Sequence, residues 1–208
     1  MEWNMRERLF SEERMYQHVQ KRAEERNYEQ TCRALPMMKK LHDGQTRDGK
    51  SGIPYIIHPL MMACHALALG VADDSLLPVI LLHDVCEDCG VQVEELPFSE
   101  NVKEAIDLLT FRIGKQETKE EAKERYFKKI SENPQAALVK VIDRCNNIST
   151  MANGFSKERM VKYIKETEEY IFPLLDFVKV QYREYYDAAF LLKYHMLSVL
   201  ESLKRMLS

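Results

Sequence analysis

The stretch of sequence that decides the fold is "SLLPVILLHDVCED", residues 75–88. Its apolar run, Leu76 to Leu82, is interrupted only by Pro78 and is followed at once by a histidine and three carboxylates. These polar residues are His83, Asp84, Glu87 and Asp88. Because a buried carboxylate without a partner is strongly unfavourable, the end of this run needs a proton or a cation.

The run itself predicts a helix. Ser75 is a suitable N-cap, and Pro78 then falls in the first turn, where a missing N–H costs little. Helical periodicity continues along a chain in which glycine and proline occur only seven times each. It predicts helices over 5–24, 27–42, 58–69, 92–96, 99–109, 118–131, 134–149, 156–176 and 179–207, with the clearest loop over 42–55. We therefore expect an all-α fold in a single domain over 1–208, with a core over about 28–176 and a C-terminal helical extension over 177–208.

The composition excludes several classes of protein. The chain has 208 residues and a formal net charge of -3, so it lacks the basic field that holds nucleic acid by its phosphates. No apolar stretch approaches the ~20 residues that span a bilayer, and the charged N-terminus lacks the apolar segment of a signal peptide. Five cysteines at irregular spacing indicate reduced thiols. We expect a cytoplasmic protein that binds neither nucleic acid nor membrane.

The polar residues of the opening stretch have the spacing of neighbours on a helix. On one continuous helix, positions 83 and 87 and positions 84 and 88 are four apart, so all four side chains would crowd one side. A solvated helix end is the ordinary explanation of an isolated His-Asp pair. Two other mostly apolar segments, however, also deliver ligand-type residues: "PYIIHPL" (54–60) delivers His58, and "LVKVIDRCNN" (138–147) delivers Asp143.

Together these segments predict a metal site. His58, His83, Asp84 and Asp143 form a mixed nitrogen and oxygen set that suits an octahedral first-row divalent ion with open water positions. We expect manganese, and iron or another divalent metal is the second choice. A closed structural zinc site would more often use cysteine thiolates.

Four motifs then occur in an order that resembles a known family: "GQTR" (44–47) with "GIPYIIHP" (52–59), "LLHDVCED" (81–88), "DLLT" (107–110) and "VKVIDRCNNIST" (139–150). "ETEEYIFPLL" (166–175) is similar to the helix that follows in that family. The chain resembles the HD-domain hydrolases of the RelA/SpoT alarmone family, and in size their stand-alone small alarmone hydrolases. The resemblance implies an HD-domain helical bundle with additional N- and C-terminal helices.

The resemblance also implies roles for individual residues. His58, His83, Asp84 and Asp143 match the manganese ligands of the family, and Glu87 with Asp88 match the acidic pair that positions and activates the attacking water. The positions that match contacts to the guanine nucleotide are Arg47, Lys50, Ser51, Asn147 and Thr150. The implied reaction is hydrolysis of the 3′-pyrophosphate of guanosine tetra- or pentaphosphate (ppGpp, pppGpp) to GDP or GTP and pyrophosphate, the degradation step of the stringent response. The family's synthetase domain has no counterpart in these 208 residues, so we expect degradation without synthesis.

Two other functions stay open. The loop after Arg47 is about two residues longer than the usual family form, Ile53 replaces a common Glu, and Asn146 stands where His is frequent. These departures would suit a hydrolase of the same metal-dependent type that acts on another phosphorylated nucleotide. A nucleotide-sensing or scaffold module without activity is the third hypothesis, although the retained acidic pair and ligand set argue against it.

Two features lie outside this site. The C-terminal segment carries a stripe of large apolar side chains at helical spacing, for which core packing is the default and a homo-oligomer interface the alternative. The stripe consists of Tyr182, Tyr185, Tyr186, Phe190, Tyr194, Leu197, Leu200 and Leu203. Cys86 and Cys89 form a CxxC pair, but the βαβ context of a redox motif is absent. We therefore expect these two cysteines to be small packing residues.

Overall fold

The computed structural model describes residues 11–47 and 52–207, with the side chain of Asn153 left aside. Its α-helices are α1 Glu12–Glu25, α2 Glu29–Leu41, α3 Ile57–Ala68, α4 Leu76–Leu82, α5 Val85–Asp88, α6 Glu100–Leu109, α7 Lys119–Ser131, α8 Pro134–Thr150, α9 Lys157–Glu166, α10 Phe172–Gln181 and α11 Tyr186–Leu207. Within the described ranges there is no strand, only an isolated antiparallel bridge between Thr46 and Pro54. The all-α prediction is confirmed.

The chain divides into two compact units, residues 1–103 and 104–208. In the first unit, α2 and α3 each pack against α4, and α1 packs against both α2 and α3. Helix α4 is the centre of this core, because each of its residues is buried. That burial is what the uninterrupted apolar run of the sequence predicts.

Two adjacent aspartates hold the helices of the first unit by their N-termini. The Asp74 carboxylate accepts hydrogen bonds from the backbone N–H and the hydroxyl of Thr31, at 2.8 and 2.9 Å, in the first turn of α2. Asp73 accepts from the backbone N–H groups of Ser75 and Leu76 at the start of α4. Ser75 is the N-cap residue as predicted, but the cap hydrogen bonds go to Asp73 and not to the serine side chain.

In the second unit, α8 is the central helix, and α7, α10 and α11 all pack against it. Helix α8 begins with Asn133 as N-cap and Pro134 in its first turn, so the "ENP" segment separates α7 from α8 as the sequence predicts. The predicted helix over 156–176 is interrupted by a π-helical segment, Thr167–Ile171, between α9 and α10. The last break falls at the 3₁₀ turn Arg183–Tyr185, a few residues later than predicted.

The C-terminal stripe separates into two faces. Leu200 and Leu203 are buried, together with Leu192 and Met196. Tyr186, Phe190 and Tyr194 are about half to two thirds exposed, so the core-packing interpretation is wrong for them. No helix of the described residues is long and apolar enough to cross a membrane.

Candidate metal centre

Three of the predicted ligands come together in the first unit. His58 lies in the first turn of α3, whereas His83 and Asp84 lie between the end of α4 and the start of α5. One ligand-type atom of each residue lies within 4.8 Å of the other two. Both imidazoles are buried, and the Asp84 side chain is about one quarter exposed. The site therefore consists of two desolvated nitrogen donors beside a carboxylate that solvent reaches.

The orientation of the His83 ring suits a metal ligand. Its Nδ1 lies 2.9 Å from the carbonyl oxygen of Ile80. Since a carbonyl oxygen only accepts, Nδ1 carries the hydrogen, and in the neutral ring Nε2 carries the lone pair. This Nε2 lies 2.8 Å from Oδ2 of Asp84. Two lone-pair atoms at that separation repel unless a proton or a cation joins them.

The spacing of these donors also matches an ion. Ligand atoms at about 2.1 Å from one octahedral ion and at right angles to each other lie about 3 Å apart. The separation of His83 Nε2 from Asp84 Oδ2, 2.8 Å, is close to that value. The rings of His58 and His83 stand edge to face with centroids 5.3 Å apart, which brings the second imidazole to the same place. The residues present thus fit a divalent cation.

The helix that was predicted to carry the whole motif is broken, so that prediction is wrong. Helix α4 ends at Leu82, and α5 begins at Val85. Between them Asp84 adopts φ -104° and ψ -3°, away from helical values, and its carbonyl oxygen accepts the backbone N–H of Asp88 to start the next turn. The break presents His83 and Asp84 from a turn, not from a helix face.

The predicted acidic pair lies on the short helix α5. Glu87 and Asp88 are both exposed, as access to a substrate requires. Although Asp88 is exposed, nearby protein atoms partly desolvate its carboxyl group and raise its pKa above the usual value, and the neighbouring Asp84 carboxylate raises that pKa further. His42, His83 and the hydroxyl of Tyr55 act in the opposite direction. Asp88 is therefore within electrostatic reach of two members of the histidine–aspartate cluster.

Two residues that contact this site, Tyr55 and His42, were not among the site residues predicted from the sequence. The Tyr55 hydroxyl donates a hydrogen bond to Oδ2 of Asp84. The buried His42 ring packs on the Tyr55 ring with centroids 4.5 Å apart, and its Nδ1 lies 2.7 Å from Oε1 of Gln45. One signal was available, because Tyr55 precedes His58 by three residues and so shares its side of the α3 N-terminus.

Cys89 lies beside the same histidine. Its Sγ is 3.5 Å from Nδ1 of His42 and donates to the carbonyl oxygen of Leu41 at 3.4 Å. Burial raises the pKa of the Cys89 thiol above its usual value. A protonated, half-buried thiol of this kind is a packing group, as the sequence analysis expects of the CxxC pair.

The fourth predicted ligand, Asp143, lies in the second unit on α8. It is buried, and each of its oxygens has a partner: Oδ1 accepts from Nδ2 of Asn147 at 2.6 Å, and Oδ2 lies 3.2 Å from Nζ of Lys140. Asn147, predicted to line the substrate pocket, thus orients the Asp143 carboxylate. Thr150, on the same helix, directs its hydroxyl to the carbonyl oxygen of Asn146 at 3.0 Å.

The predicted substrate loop is described only at its two ends. Arg47 is half-buried, and its backbone N–H donates to the carbonyl oxygen of Ile53 at 2.9 Å. The backbone N–H of Tyr55 donates to the carbonyl oxygen of Gln45 at 2.9 Å, so the ends of the loop are paired. Lys50 and Ser51 lie outside the described residues.

Comparison with known proteins places this site in a class. None of the protein-family models matches the chain. The Aquifex aeolicus protein named guanosine-3′,5′-bis(diphosphate) 3′-pyrophosphohydrolase is 36% identical over 167 residues, 78% of this chain and 23% of the relative. The Streptomyces coelicolor protein named GTP pyrophosphokinase is 33% identical over 148 residues, 68% of this chain and 17% of the relative. The chain thus spans about a fifth of the length of these relatives.

A solved structure has the same fold. It is described as a metazoan orthologue of SpoT that hydrolyses ppGpp and plays a role in starvation responses. The match has a TM-score of 0.64 at 20% identity and covers 83% of this chain and 94% of that one. An all-α fold that joins a histidine to an adjacent His-Asp pair defines an HD-domain protein. Within that class, the sequence relatives show that this chain belongs to the RelA/SpoT family.

Proposed function

We propose that this chain hydrolyses the 3′-pyrophosphate of guanosine tetra- or pentaphosphate to GDP or GTP and pyrophosphate. The observation that carries the proposal is the cluster of His58, His83 and Asp84, in a chain 36% identical to a protein named for that reaction. We further propose that the 208 residues degrade the alarmone without making it. We place the reaction in the cytoplasm, since all five cysteines are free thiols.

The cofactor we propose is a single divalent cation, manganese first. His58, His83 and Asp84 would hold it, and Asp143 would be the fourth ligand, as the sequence pattern and the family resemblance predict. The two imidazoles and the carboxylates suit an oxygen- and nitrogen-binding ion with open positions. A divalent ion held there supplies activation of water and neutralisation of phosphoryl charge. We further propose that residues 1–208 form a single hydrolase domain.

The other predicted residues then have distinct tasks. Glu87 and Asp88 are exposed carboxylates on α5, suited to orient a water molecule and accept its proton. Arg47, Lys50 and Ser51 would hold the nucleotide, with Asn147 and Thr150 on α8 as further contacts. Arg47 offers a planar fork that pairs with phosphate and stacks on a purine.

Two observations each support a different function. The Streptomyces coelicolor relative is named for pyrophosphoryl transfer to GTP, so segments like this one also occur in proteins named for synthesis. A sensing module without hydrolytic activity is therefore one alternative. Ile53, where the family often has Glu, supports the other, a hydrolase of the same type with a different phosphorylated nucleotide.

A nucleotide panel tests the proposal. Manganese-loaded protein is incubated with guanosine tetraphosphate, 2′- and 3′-nucleoside monophosphates and a 2′-phosphorylated nicotinamide dinucleotide, and pyrophosphate and orthophosphate release are measured separately. We expect pyrophosphate from guanosine tetraphosphate, and no alarmone when ATP and GDP are supplied. Orthophosphate from a monophosphate, with guanosine tetraphosphate intact, would favour the other hydrolase. Nucleotide binding without any release would favour the sensing module.

We also propose that the chain forms a homodimer through α10 and α11. Large apolar side chains between 38% and 67% exposed form a band there: Phe177, Val180, Tyr186, Phe190, Leu191, Tyr194 and Leu197. Because fully exposed large apolar side chains each offer about 150–250 Å² of surface, this band exposes roughly 700 Å². That total approaches the ~800 Å² that each partner buries in a standard interface.

A second copy is the occupant that suits this band. Tyr186, Phe190, Tyr194 and Leu197 repeat every three or four residues and so lie on one face of α11. A stripe of this kind is self-complementary, because two antiparallel copies of the same helix pack it against itself about a two-fold axis. Lys179 lies over the rings of Tyr186 and Phe190 and joins the parts contributed by α10 and α11.

A further inference from the structure

The tyrosine that the sequence analysis overlooked contacts the candidate metal centre directly. The Tyr55 hydroxyl donates a hydrogen bond to Oδ2 of Asp84, the same oxygen that lies 2.8 Å from Nε2 of His83. The Tyr55 ring also stands edge to face with the ring of His58, at a centroid distance of 5.8 Å. One side chain outside the ligand set thus contacts two of the three clustered residues.

Two independent contacts fix the position of this tyrosine. Its backbone N–H donates to the carbonyl oxygen of Gln45 at 2.9 Å, which ties it to the other end of the 42–55 loop. Its ring packs on the buried ring of His42, which follows the last residue of α2. The side chain of Gln45 in turn holds His42 through Nδ1 at 2.7 Å. The backbone and the ring of Tyr55 are therefore both held by neighbouring residues, and this fixes the position of its hydroxyl.

Asp84 needs such support. The terminal torsion of an aspartate is broad, so packing alone does not fix the plane of its carboxylate. Asp84 also lies in the turn between α4 and α5 and not within either helix. A hydrogen bond from the Tyr55 hydroxyl to Oδ2 restricts the plane of the carboxylate.

We propose that Tyr55 is a positioning residue for the metal centre, which orients the Asp84 carboxylate toward a divalent cation. This inference rests on the metal site in the proposed function. Residues that orient metal ligands in this way commonly change metal affinity about 10- to 100-fold when they are lost. The backbone N–H of Tyr55 pairs with Gln45 at the base of the loop that carries Arg47, so the same residue links the predicted substrate loop to Asp84.

The experiment measures manganese affinity, so it does not depend on turnover. The full chain is stripped of metal, and Mn²⁺ binding is measured by isothermal titration calorimetry for the wild type and for Tyr55→Phe. The substitution removes the hydroxyl and keeps the ring on His42. We expect Kd to rise at least 10-fold, while the melting temperature of the metal-free protein stays within about 2 °C of the wild type. The rise in melting temperature on adding Mn²⁺ should shrink in parallel.

Two further variants separate positioning from packing. Tyr28→Phe removes another tyrosine hydroxyl of the first unit, which donates to the carbonyl oxygen of Ala72 at 3.2 Å, and it should bind Mn²⁺ like the wild type. Tyr55→Leu removes both ring and hydroxyl, so it should also lower the melting temperature without metal. If Tyr55→Phe bound Mn²⁺ as tightly as the wild type, the positioning role of Tyr55 would be excluded, while the proposed metal site would stand. Absence of Mn²⁺ binding in the wild type, or undiminished binding in Asp84→Asn, would instead overturn the proposed metal site.

Discussion

The Nδ1–H group of His83 donates a hydrogen bond to the carbonyl oxygen of Ile80, 2.9 Å away in the preceding turn of α4. This bond fixes the tautomer of a ring that is almost fully buried and directs Nε2 toward Asp84. An imidazole held in this way loses little freedom on binding a cation, because its orientation is set before the ion arrives. The helix that the apolar run forms thus also orients His83, one of the proposed ligands.

The first prediction concerns metal content. Asp84→Asn keeps the size of the side chain and removes its charge, so the protein should lose most of its bound divalent metal. Elemental analysis of the purified and manganese-reconstituted protein measures this. Asp43→Asn, at an exposed aspartate of the same unit, is the matched control and should retain a full complement. Equal metal in the two variants would exclude Asp84 as a ligand.

The second prediction separates binding of the cation from action on water. Asp88→Asn and Glu87→Gln should each retain the metal and lose about 10²- to 10⁴-fold in turnover, because a carboxylate that accepts a proton is replaced by an amide. Metal content and kcat are measured on the same preparations, with the exposed Glu94→Gln as control. Release of metal by Glu87→Gln would instead place Glu87 among the ligands.

Much of this site could be predicted from local pattern, and the rest depends on contacts distant in sequence. His58, His83 and Asp84 each follow or begin an apolar segment, and burial of those segments brings the three residues together. The break at Asp84 had no comparable signal, since a continuous helix satisfies the same periodicity. The partner of that carboxylate, Tyr55, is 29 residues away, and no helical or strand period relates the two positions.

The third prediction is a pH-dependent loss of stability in the second unit. Burial would raise the pKa of Glu166, but its hydrogen bonds to Lys123 and Arg144 outweigh that effect and lower the pKa below its usual value. A lowered folded-state pKa means stability that is present above the unfolded pKa, near 4.5, and is lost as the pH falls through the folded value. Glu166→Gln should therefore be less stable at pH 7 by about 2 kcal/mol, as for the loss of a hydrogen bond to a charged group.

Thermal unfolding from pH 7 down to pH 3 measures this difference. The gap in melting temperature between the wild type and Glu166→Gln should begin to narrow below about pH 4.5, where the unfolded state takes up a proton, and should close once the pH falls below the lowered pKa of folded Glu166. Glu168→Gln is the control, because its ion pair with Lys204 is exposed and such pairs contribute little. A gap that stays constant across the titration would mean that shape, not charge, explains the effect.

The fourth prediction concerns the exposed band on α10 and α11. Phe190→Glu places a charge in the middle of this apolar surface, so it should convert a dimer to a monomer without loss of helix content. Light scattering after size-exclusion chromatography gives the mass, and circular dichroism the helix content. Glu94→Gln, at an exposed position of the first unit, should leave the mass unchanged. A wild-type chain that is monomeric at concentrations of about 100 μM would exclude the proposed dimer.

The last prediction is the role of Arg47 in the choice of substrate. Its backbone is held at the base of the loop by the hydrogen bond to Ile53, so the substitution Arg47→Ala changes the side chain without freeing the loop end. The guanidinium group should bind the guanine nucleotide equally in the ground state and in the transition state. Loss of such uniform binding raises KM and leaves kcat almost unchanged.

We expect KM for guanosine tetraphosphate to rise about 10-fold or more, as for a lost charged hydrogen bond, with kcat within about threefold of the wild type. Steady-state kinetics of pyrophosphate release, with Arg14→Ala on the exposed face of α1 as control, measures both constants. A fall in kcat at unchanged KM would instead mean that Arg47 acts on the transition state, and it would move this residue from substrate binding to catalysis.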